Sequence, residues 1–553
     1  MAGRLKFNVR NRSGSEFWRI ACVPRASALI GLHNFVILGR SHIPATGFEK
    51  LLCWPAWERM DAGPENTMQT WVKRELETVD IGDQRLNERY ALILDRLSKK
   101  PSLSIPAACG NETETAGAYR FFDNGRVTEL NILQPHHDAT LKRIQAEPVV
   151  LMPQDTTEID VTRPQEAVGG PLNDSARRGL FAHLQLAITP QRLSLGVAAA
   201  EIWKRVEEDK EVAQSQAEKR KKRRASPIDE KESVRWLDGY RNACEVAQQC
   251  PQTQVVSLSD SEGDIYECFV EGVPKESRRA DWVVRACQDR ALVGGTKHLR
   301  ASILSTPRLG ELTIEVSKRD ASTGDGRKRR QARSSARQAK VSVRAKTVWL
   351  RPPYRSGGVK LPKVQVNAVL VLEENPPAGE QPVEWLLLTS LPIKTFTEAI
   401  KVVEYYCCRW EVEIYFRVLK SGCRVESLQF EETERLTNCL AVYLIVAWRV
   451  MHLLMLGRTQ PGMDCNVVLE EAEWKSVYEV VTGKAAPKIP PPLAELVRMI
   501  AGLGGYRGRK HDGPPGPKTM WIGIQRMHDL AAAWKRFGPD AKRVAKGTKH
   551  ELD

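Results

Sequence analysis

The amino-acid sequence predicts an α/β protein: a mixed-sheet core carrying a β-rich insertion, with helical regions before and after it. Three patterns point there. The apolar runs PVVLMPQD (148–155), GLFAHLQLAITP (179–190) and LSLGVAAAEIW (193–203) are strand-like and joined by turns. A helical segment (230–250) and a further strand-like run, QVVSLSD (254–260), follow. Three strands, a helix and a fourth strand make a mixed sheet with helices on its faces. Strand signals then return between 281 and 390, and helical periodicity resumes after 395.

A chain of 553 residues is too long for one ordinary core, so several domains are expected. Its 42% hydrophobic and 27% charged residues are ordinary for a globular protein. The 83 Lys and Arg residues against 68 acids, a net charge of +15, point to a polyanionic partner, nucleic acid before an acidic membrane. LAVYLIVAWRVMHLLML is interrupted by Arg449 and His452 and reads as a buried helix rather than a membrane span. The N-terminus lacks the pattern of a signal peptide, so a cytoplasmic protein without a membrane partner is expected. The twelve cysteines are scattered, with no C-x2-C pair and no His/Cys cluster at zinc spacing. Adjacent Cys407 and Cys408 read as reduced packing residues.

Residues 1–67 show no sustained period and stay unassigned, as a disordered segment or an over-extended start before Met68. Residues 68–145 form a helical unit with recurrent Arg and Lys, suited to DNA or equally to a plain helical cap. In it DIGDQRLNERYALILDRLSKK ends at Pro101, TETAGAYRFFDNGRVT supplies a second helix and turn, and LNILQPHHDATLKRIQAE a third. The first part of the core spans 146–280 and includes the basic loop AEKRKKRRASP (217–227). The β-rich insertion spans 281–392. Its cationic stretch GRKRRQARSSARQAK (326–340) is either a solvated loop or a contact to nucleic-acid backbone. The core resumes over 393–460 with a helix at 395–425 and a long helix at 432–458. Residues 461–553 are helical, with a tail that should fray.

Within YYCCRWEVEIYFRVLK (405–420), the residues Tyr406, Arg409, Glu413, Arg417 and Lys420 recur at helical spacing. They fall within roughly 80° of one another on an α-helix, while Val412, Val418 and Leu419 point away. One reading is a solvated face with i,i+4 ion pairs worth a few tenths of a kcal/mol each. The other draws in two more carboxylates, Asp155 at the end of the first strand and Asp260 at the end of the fourth. Two strand-end acids and one helix acid can converge. Three clustered carboxylates repel one another unless they share cations, and hard oxygen ligands suit Mg2+, with Mn2+ as substitute. Two such ions about 3.5–4 Å apart would activate the attacking oxygen and stabilise the leaving oxygen of a phosphodiester displacement. Tyr406, Arg409 and Lys420 would then grip the bracketing phosphates. Taken singly, a strand-end Asp is a turn former or helix cap; the ordered combination favours a site. Asp264 reads as a helix cap or a group behind Asp260, and His183 as a hydrogen-bonded core histidine or a neighbour of the site.

Y-x2-R-x3-E-x6-K, filled by Tyr406, Arg409, Glu413 and Lys420, resembles the signature of bacterial cut-and-paste insertion-sequence transposases, the IS-four group with the transposon-Tn-five enzyme as its relative. QDTTEID around Asp155 looks like the family's first catalytic Asp motif, and SDSEGDIYECF around Asp260 like its second. AYRFFDN, EKESVRW, LRPP and VEWLLLTSLP also look like family segments, and the likeness spans about 70–540; residues 1–67 depart from it. The resemblance implies an RNase H-like catalytic core with Asp155, Asp260 and Glu413 as catalytic metal ligands. It also implies a β-insertion before the Glu413 helix, an N-terminal helical domain for transposon ends and a C-terminal dimerisation region. Trp385 matches the family's tryptophan that stacks a base flipped from the transposon end; a core tryptophan on a strand is the alternative.

The implied function is Mg2+-dependent DNA transposition by a nucleoid-associated homodimer. It would pair the element's terminal inverted repeats, as double-stranded DNA, in a synaptic complex and join them to target DNA. Water frees a 3′-hydroxyl, that hydroxyl forms a hairpin with the opposite strand, a second water opens it, and the end joins the target. A metal-dependent nuclease that cuts without joining and an inactive DNA-binding inhibitor of transposition are the alternatives.

Overall fold

The computed structural model describes residues 68–539 apart from 166–167, 175, 207–225, 274–277, 296–297, 317–336, 356–359 and 511, together with the backbone of three short strands within the first 38 residues. The expectations for the remainder of 1–67, for most of the two basic stretches and for the tail lie outside the described residues. The chain forms two compact units. One comprises Met1–Trp57, Gln145–Asp155 and Asp209–Glu411, the other Glu58–Ile144, Thr156–Glu208 and Val412–Asp553. The strand Val149–Asp160 passes from the first unit into the second after Asp155.

The first unit is built on a sheet. Val149–Asp160 pairs in parallel with Gln254–Ser259, and that strand pairs in parallel with Asp281–Arg285. Such strands are covered on both faces, which is why their sequences are near-continuous apolar runs rather than alternating ones. The helix Val234–Gln249 packs on the sheet close to Gln154, with Gly239 at the approach. A Cβ there would fall 2.1 Å from Gln154 Oε1. From Asp281–Arg285 the sheet continues antiparallel through Glu384–Thr389, Val364–Leu372, Arg337–Leu350 and Gly310–Val316. Phe7–Asn11, Gly14–Ala21 and Val36–Leu38 extend it further.

In the second unit Arg178–Ile188 and Ser194–Trp203 form an antiparallel hairpin. The helices Gln84–Lys99, Glu112–Phe122 and Glu129–Gln145 begin and end close to the expected points, and short helices at Thr70–Glu75 and Ile105–Cys109 join them. Asp83 and Asn111 cap two of them by accepting from Arg85 N and Glu114 N, satisfying donors a helix start leaves open. The axis of the unit is Thr433–Thr459, long and apolar enough to cross a bilayer yet with its apolar window wholly buried. Its polar groups are used internally: Asn438 Nδ2 donates to Phe122 O and Val127 O, and Trp448 Nε1 to Ser194 O. The helices Glu471–Thr482, Leu493–Leu503 and Pro517–Phe537 complete the unit. Gln69 Nε2 donates to Glu473 Oε1 at 2.6 Å, and Ser102 Oγ to Gln525 Oε1 at 2.6 Å.

Three expectations change. The first strand does not end at Asp155 but runs to Asp160, because Thr156–Asp160 keeps the extended, β-branched pattern beyond the acid. Asp281–Arg285, expected to open the insertion, is the third parallel strand of the core, and the insertion continues the same sheet. The single helix at 395–425 is instead Phe396–Cys408, Trp410–Arg417, a π-helical turn at Val418–Gly422 and a 3-10 turn at Val425–Ser427.

Candidate active site

The two aspartates come from the parallel ladder. Its register runs from Val149 opposite Gln254 to Pro153 opposite Leu258. Carried two residues further, the same offset sets Asp155 level with Asp260. The next ladder runs from Val256 opposite Asp281 to Ser259 opposite Val284. One residue further, Arg285 stands level with Asp260. Parallel strands lie about 4.8 Å apart and level residues point to the same face, so an acid, an acid and a base form a row across three strands. The residue before Asp155 and the side chain of Asp260 are both held by hydrogen bonds. Gln154 Nε2 donates to Ser257 Oγ at 3.3 Å and to Trp236 O at 3.4 Å. Asp260 Oδ1 accepts from Glu262 N at 2.7 Å, capping the turn Ser261–Gly263. The cap reading of Asp260 thus holds alongside its place in the row.

The helix Phe396–Cys408 lays its end on this row. Arg409, its C-cap, has a side chain only 1% exposed, and Nη1 donates to Asp155 Oδ2 at 3.2 Å; the Asp155 side chain is 18% exposed. The guanidinium carbon lies 4.6 Å from the Trp410 ring centroid. Tyr406 is buried one turn earlier, edge-on to Trp385 with ring centroids 6.1 Å apart. Burial pushes the Tyr406 phenol above its ordinary range. The Arg409 and Arg285 guanidinium groups pull the other way, and the Asp260 carboxylate raises it further. One phenol therefore senses Arg409, Arg285 and Asp260 together. Arg285 Nη2 also donates to Ser261 Oγ at 3.0 Å.

Glu413 and Lys420 belong to the second unit. Glu413 is partly buried in Trp410–Arg417, and Val412, Val418 and Leu419 are buried as their spacing required. Lys420 sits in the π-helical turn with Nζ 3.6 Å from Glu426 Oε1, and Glu426 Oε1 also accepts from Asp160 N at 3.2 Å. The uniform α-helical spacing that aligned Lys420 with Glu413 is broken by that turn, a feature common at functional sites. Among the described residues no three His, Cys, Asp or Glu side chains are gathered closely enough to hold a metal ion. What fits a divalent cation is the level pair of hard carboxylates, whose charge Arg409 offsets at Asp155.

Trp385 is 6% exposed and packed edge-on against Tyr406. Asp264 does not cap the following helix, Tyr266–Glu271, whose N-cap is Ile265. Its buried carboxylate accepts from Cys287 N, Gln288 N and the Arg290 guanidinium, anchoring the loop after the third core strand. His183 is a buried histidine with Nδ1 2.8 Å from Thr156 Oγ1. Cys407 and Cys408 are buried and take part in no disulfide. Arg285 was not singled out from the sequence. Its signal was the one used for the aspartates, a charged residue closing an apolar run, here DWVVR.

Three family models match the chain: Transposase DNA-binding over residues 68–127, Transposase DDE domain over 271–448 and Transposase Tn5 dimerisation domain over 445–537. The DDE match contains Arg285, Trp385, Tyr406, Arg409, Glu413 and Lys420, while Asp155 and Asp260 precede it. Among solved structures the chain matches a piggyBac transposase in a synaptic complex with hairpin DNA. The identity is 8% and the TM-score 0.31, over 86% of this chain and 80% of that one, too distant to carry an argument. The three matches stand in the order DNA-binding domain, DDE domain and dimerisation domain, on an α/β chain with an RNase H-like core, and the protein belongs to the Tn5-like DDE transposases of the IS4 family.

Proposed function

We propose that this transposase frees its element from double-stranded DNA by metal-dependent phosphodiester hydrolysis and joins it to target DNA. The observation that carries the reading is the level pair Asp155 and Asp260, with Arg285 beside them and the Tyr406–Arg409 helix end laid across the row. Asp155, Asp260 and Glu413 would hold Mg2+, or Mn2+ in its place, which when bound supplies activation of the attacking oxygen and stabilisation of the leaving oxygen. The remaining roles fall to the chain's own groups. Arg285, Tyr406 and Lys420 hold the phosphates bracketing the scissile bond. Arg409 offers a planar fork matched to a phosphate once it leaves Asp155. Trp385 would stack a base displaced from the cleaved end.

In this reading water first frees a 3′-hydroxyl. The hydroxyl attacks the opposite strand to close a hairpin, a second water reopens it, and the end joins the target. Every step is an in-line phosphoryl transfer with no covalent protein intermediate. Residues 68–145 recognise the terminal inverted repeats, and residues 461–553 pair two copies so that both ends are held in one synaptic complex. Work on chromosomal and element DNA places the protein inside the cell, at the nucleoid.

The test uses a plasmid bearing the element's own ends, read from the DNA flanking the gene, with Mg2+ and either wild type or Glu413→Gln. Double-strand breaks at the ends that vanish in the variant support the reading. Breaks without any joined product favour a nuclease, and end binding without breaks in either protein favours an inactive DNA-binding protein.

A further inference from the structure

We propose that the outer face of the hairpin formed by Arg337–Leu350 and Val364–Leu372 is a nucleic-acid contact surface, with Trp349 stacking on an unpaired base and Lys363 meeting the adjoining phosphate. The inference rests on the reading that the chain acts on DNA and names a place where it touches it. Trp349 pairs with Gln365 and Thr347 with Asn367, so these four side chains share one face of the sheet. The alternate residues Val348, Leu350, Val364 and Val366 are all buried on the other face. A strand with one face in the core should carry polar residues on the outer one. Trp349 breaks that rule, with 44% of its surface in solvent, and no other described tryptophan is exposed to that degree.

An indole held in water adds nothing to the core and needs another reason to be there. Its surroundings supply one. The Lys363 ammonium lies 5.1 Å from the ring centroid, a cation–π distance. From Arg344 to Asn367 the sequence holds six cations and no acid. Arg344 and Arg355 are taken up by Glu374 and Glu267, whereas Arg351, Lys360 and Lys363 are exposed. Tyr354, 92% exposed, places a second aromatic ring in the same connection. A protein partner would call for a contiguous apolar patch, but Thr347, Gln365 and Asn367 around Trp349 are polar. A cation beside an open aromatic face, rimmed by amides and a hydroxyl, matches a phosphate next to an unstacked base. A fully paired duplex offers the phosphate but hides the base face, so the surface should favour DNA with unpaired nucleotides.

The full chain is titrated with two fluorescein-labelled probes, a blunt 30-base-pair duplex and the same duplex with a short unpaired end. Trp349→Ala should weaken binding of the unpaired-end probe roughly 5- to 100-fold, since stacking is worth that much per base, and leave the blunt probe nearly unchanged. Trp349→Phe should recover part of the loss. Lys363→Ala should weaken both probes and reduce the salt slope by about one. A 5-iodouracil in the unpaired end should crosslink to the peptide containing Trp349. If wild type binds both probes and Trp349→Ala, folded with an unchanged melting temperature, binds them equally well without a crosslink, the surface proposal is overturned while the transposase reading stands. If wild type binds neither probe, the DNA reading fails and takes this surface with it.

Discussion

Arg409 Nη1 donates to Asp155 Oδ2 at 3.2 Å, joining residues 254 positions apart in the chain, and it does so from a side chain that is 1% exposed. A buried guanidinium must have a partner, and this one has a carboxylate of the proposed metal site. Removing one member of such a pair leaves the other charge stranded at a cost of about 3–5 kcal/mol. Arg409→Ala should therefore lower the melting temperature clearly, and Arg409→Lys less so because a charge remains. Asp155 takes part in both this pair and the proposed metal site. Mn2+ should therefore raise the melting temperature of wild type by mass action and fail to do so for Asp155→Asn. A variant that responds to Mn2+ as wild type does would remove Asp155 from the metal site.

The level row of Asp155, Asp260 and Arg285 separates two kinds of loss. Asp260→Asn keeps the side chain's shape and its hydrogen bond from Glu262 N but gives up the charge a divalent cation needs. End cleavage should fall to background while binding of the terminal repeats stays within about twofold, since phosphate contacts elsewhere dominate affinity. Arg285→Ala should be milder, because one charge-assisted hydrogen bond is worth about 1.5–3 kcal/mol, or roughly 10- to 150-fold in cleavage rate. Equal loss of cleavage and end binding in either variant would mean the row serves the fold.

Gly239 links the fold to that row. A Cβ there would meet Oε1 of Gln154, the residue before Asp155, whose Nε2 donates to Trp236 O and Ser257 Oγ. Gly239→Ala should cost about 1–3 kcal/mol through overpacking, even though alanine favours a helix more than glycine does. Urea unfolding checks the sign: a more stable variant would show that Gln154 simply moves aside.

These relationships differ in how far the sequence could reveal them. Asp260 and Glu413 stand out in the sequence as candidates because each sits in a dense local pattern, an apolar run closed by an acid and a run of charges at helical spacing. The core strand Asp281–Arg285 was legible as a strand but not as a member of the parallel trio, since pairing partners are set by tertiary packing and not by local period. Arg409 looked like a surface cation. Its burial depends on Asp155, far away in sequence, lying at the same spot. The π-helical turn under Lys420 leaves no periodic trace in VLKSG, because five residues are too few to tell one helical pitch from another.

Glu129 gives a pH test away from the site. It opens the helix Glu129–Gln145, where the helix dipole would normally favour its ionised form. Burial outweighs that and, with the Glu201 carboxylate adding repulsion, holds its carboxyl up at about 7, while Oε1 finds no hydrogen-bond partner. The folded pKa lies above the unfolded value of 4.5, so the unfolded state loses its proton first as pH rises. The stability tied to the neutral folded form is complete below pH 4.5 and lost as pH climbs through 7, by about 3 kcal/mol at most. Glu129→Gln cannot ionise and escapes that loss. Whatever glutamine costs in packing is the same at every pH, so the informative quantity is the change in the gap between variant and wild type. The variant's melting temperature should gain on wild type between pH 4.5 and pH 8, with a smaller gain for Glu201→Gln. A gap that stays constant across that range would mean the Glu129 carboxylate ionises in the folded protein as freely as it does in water.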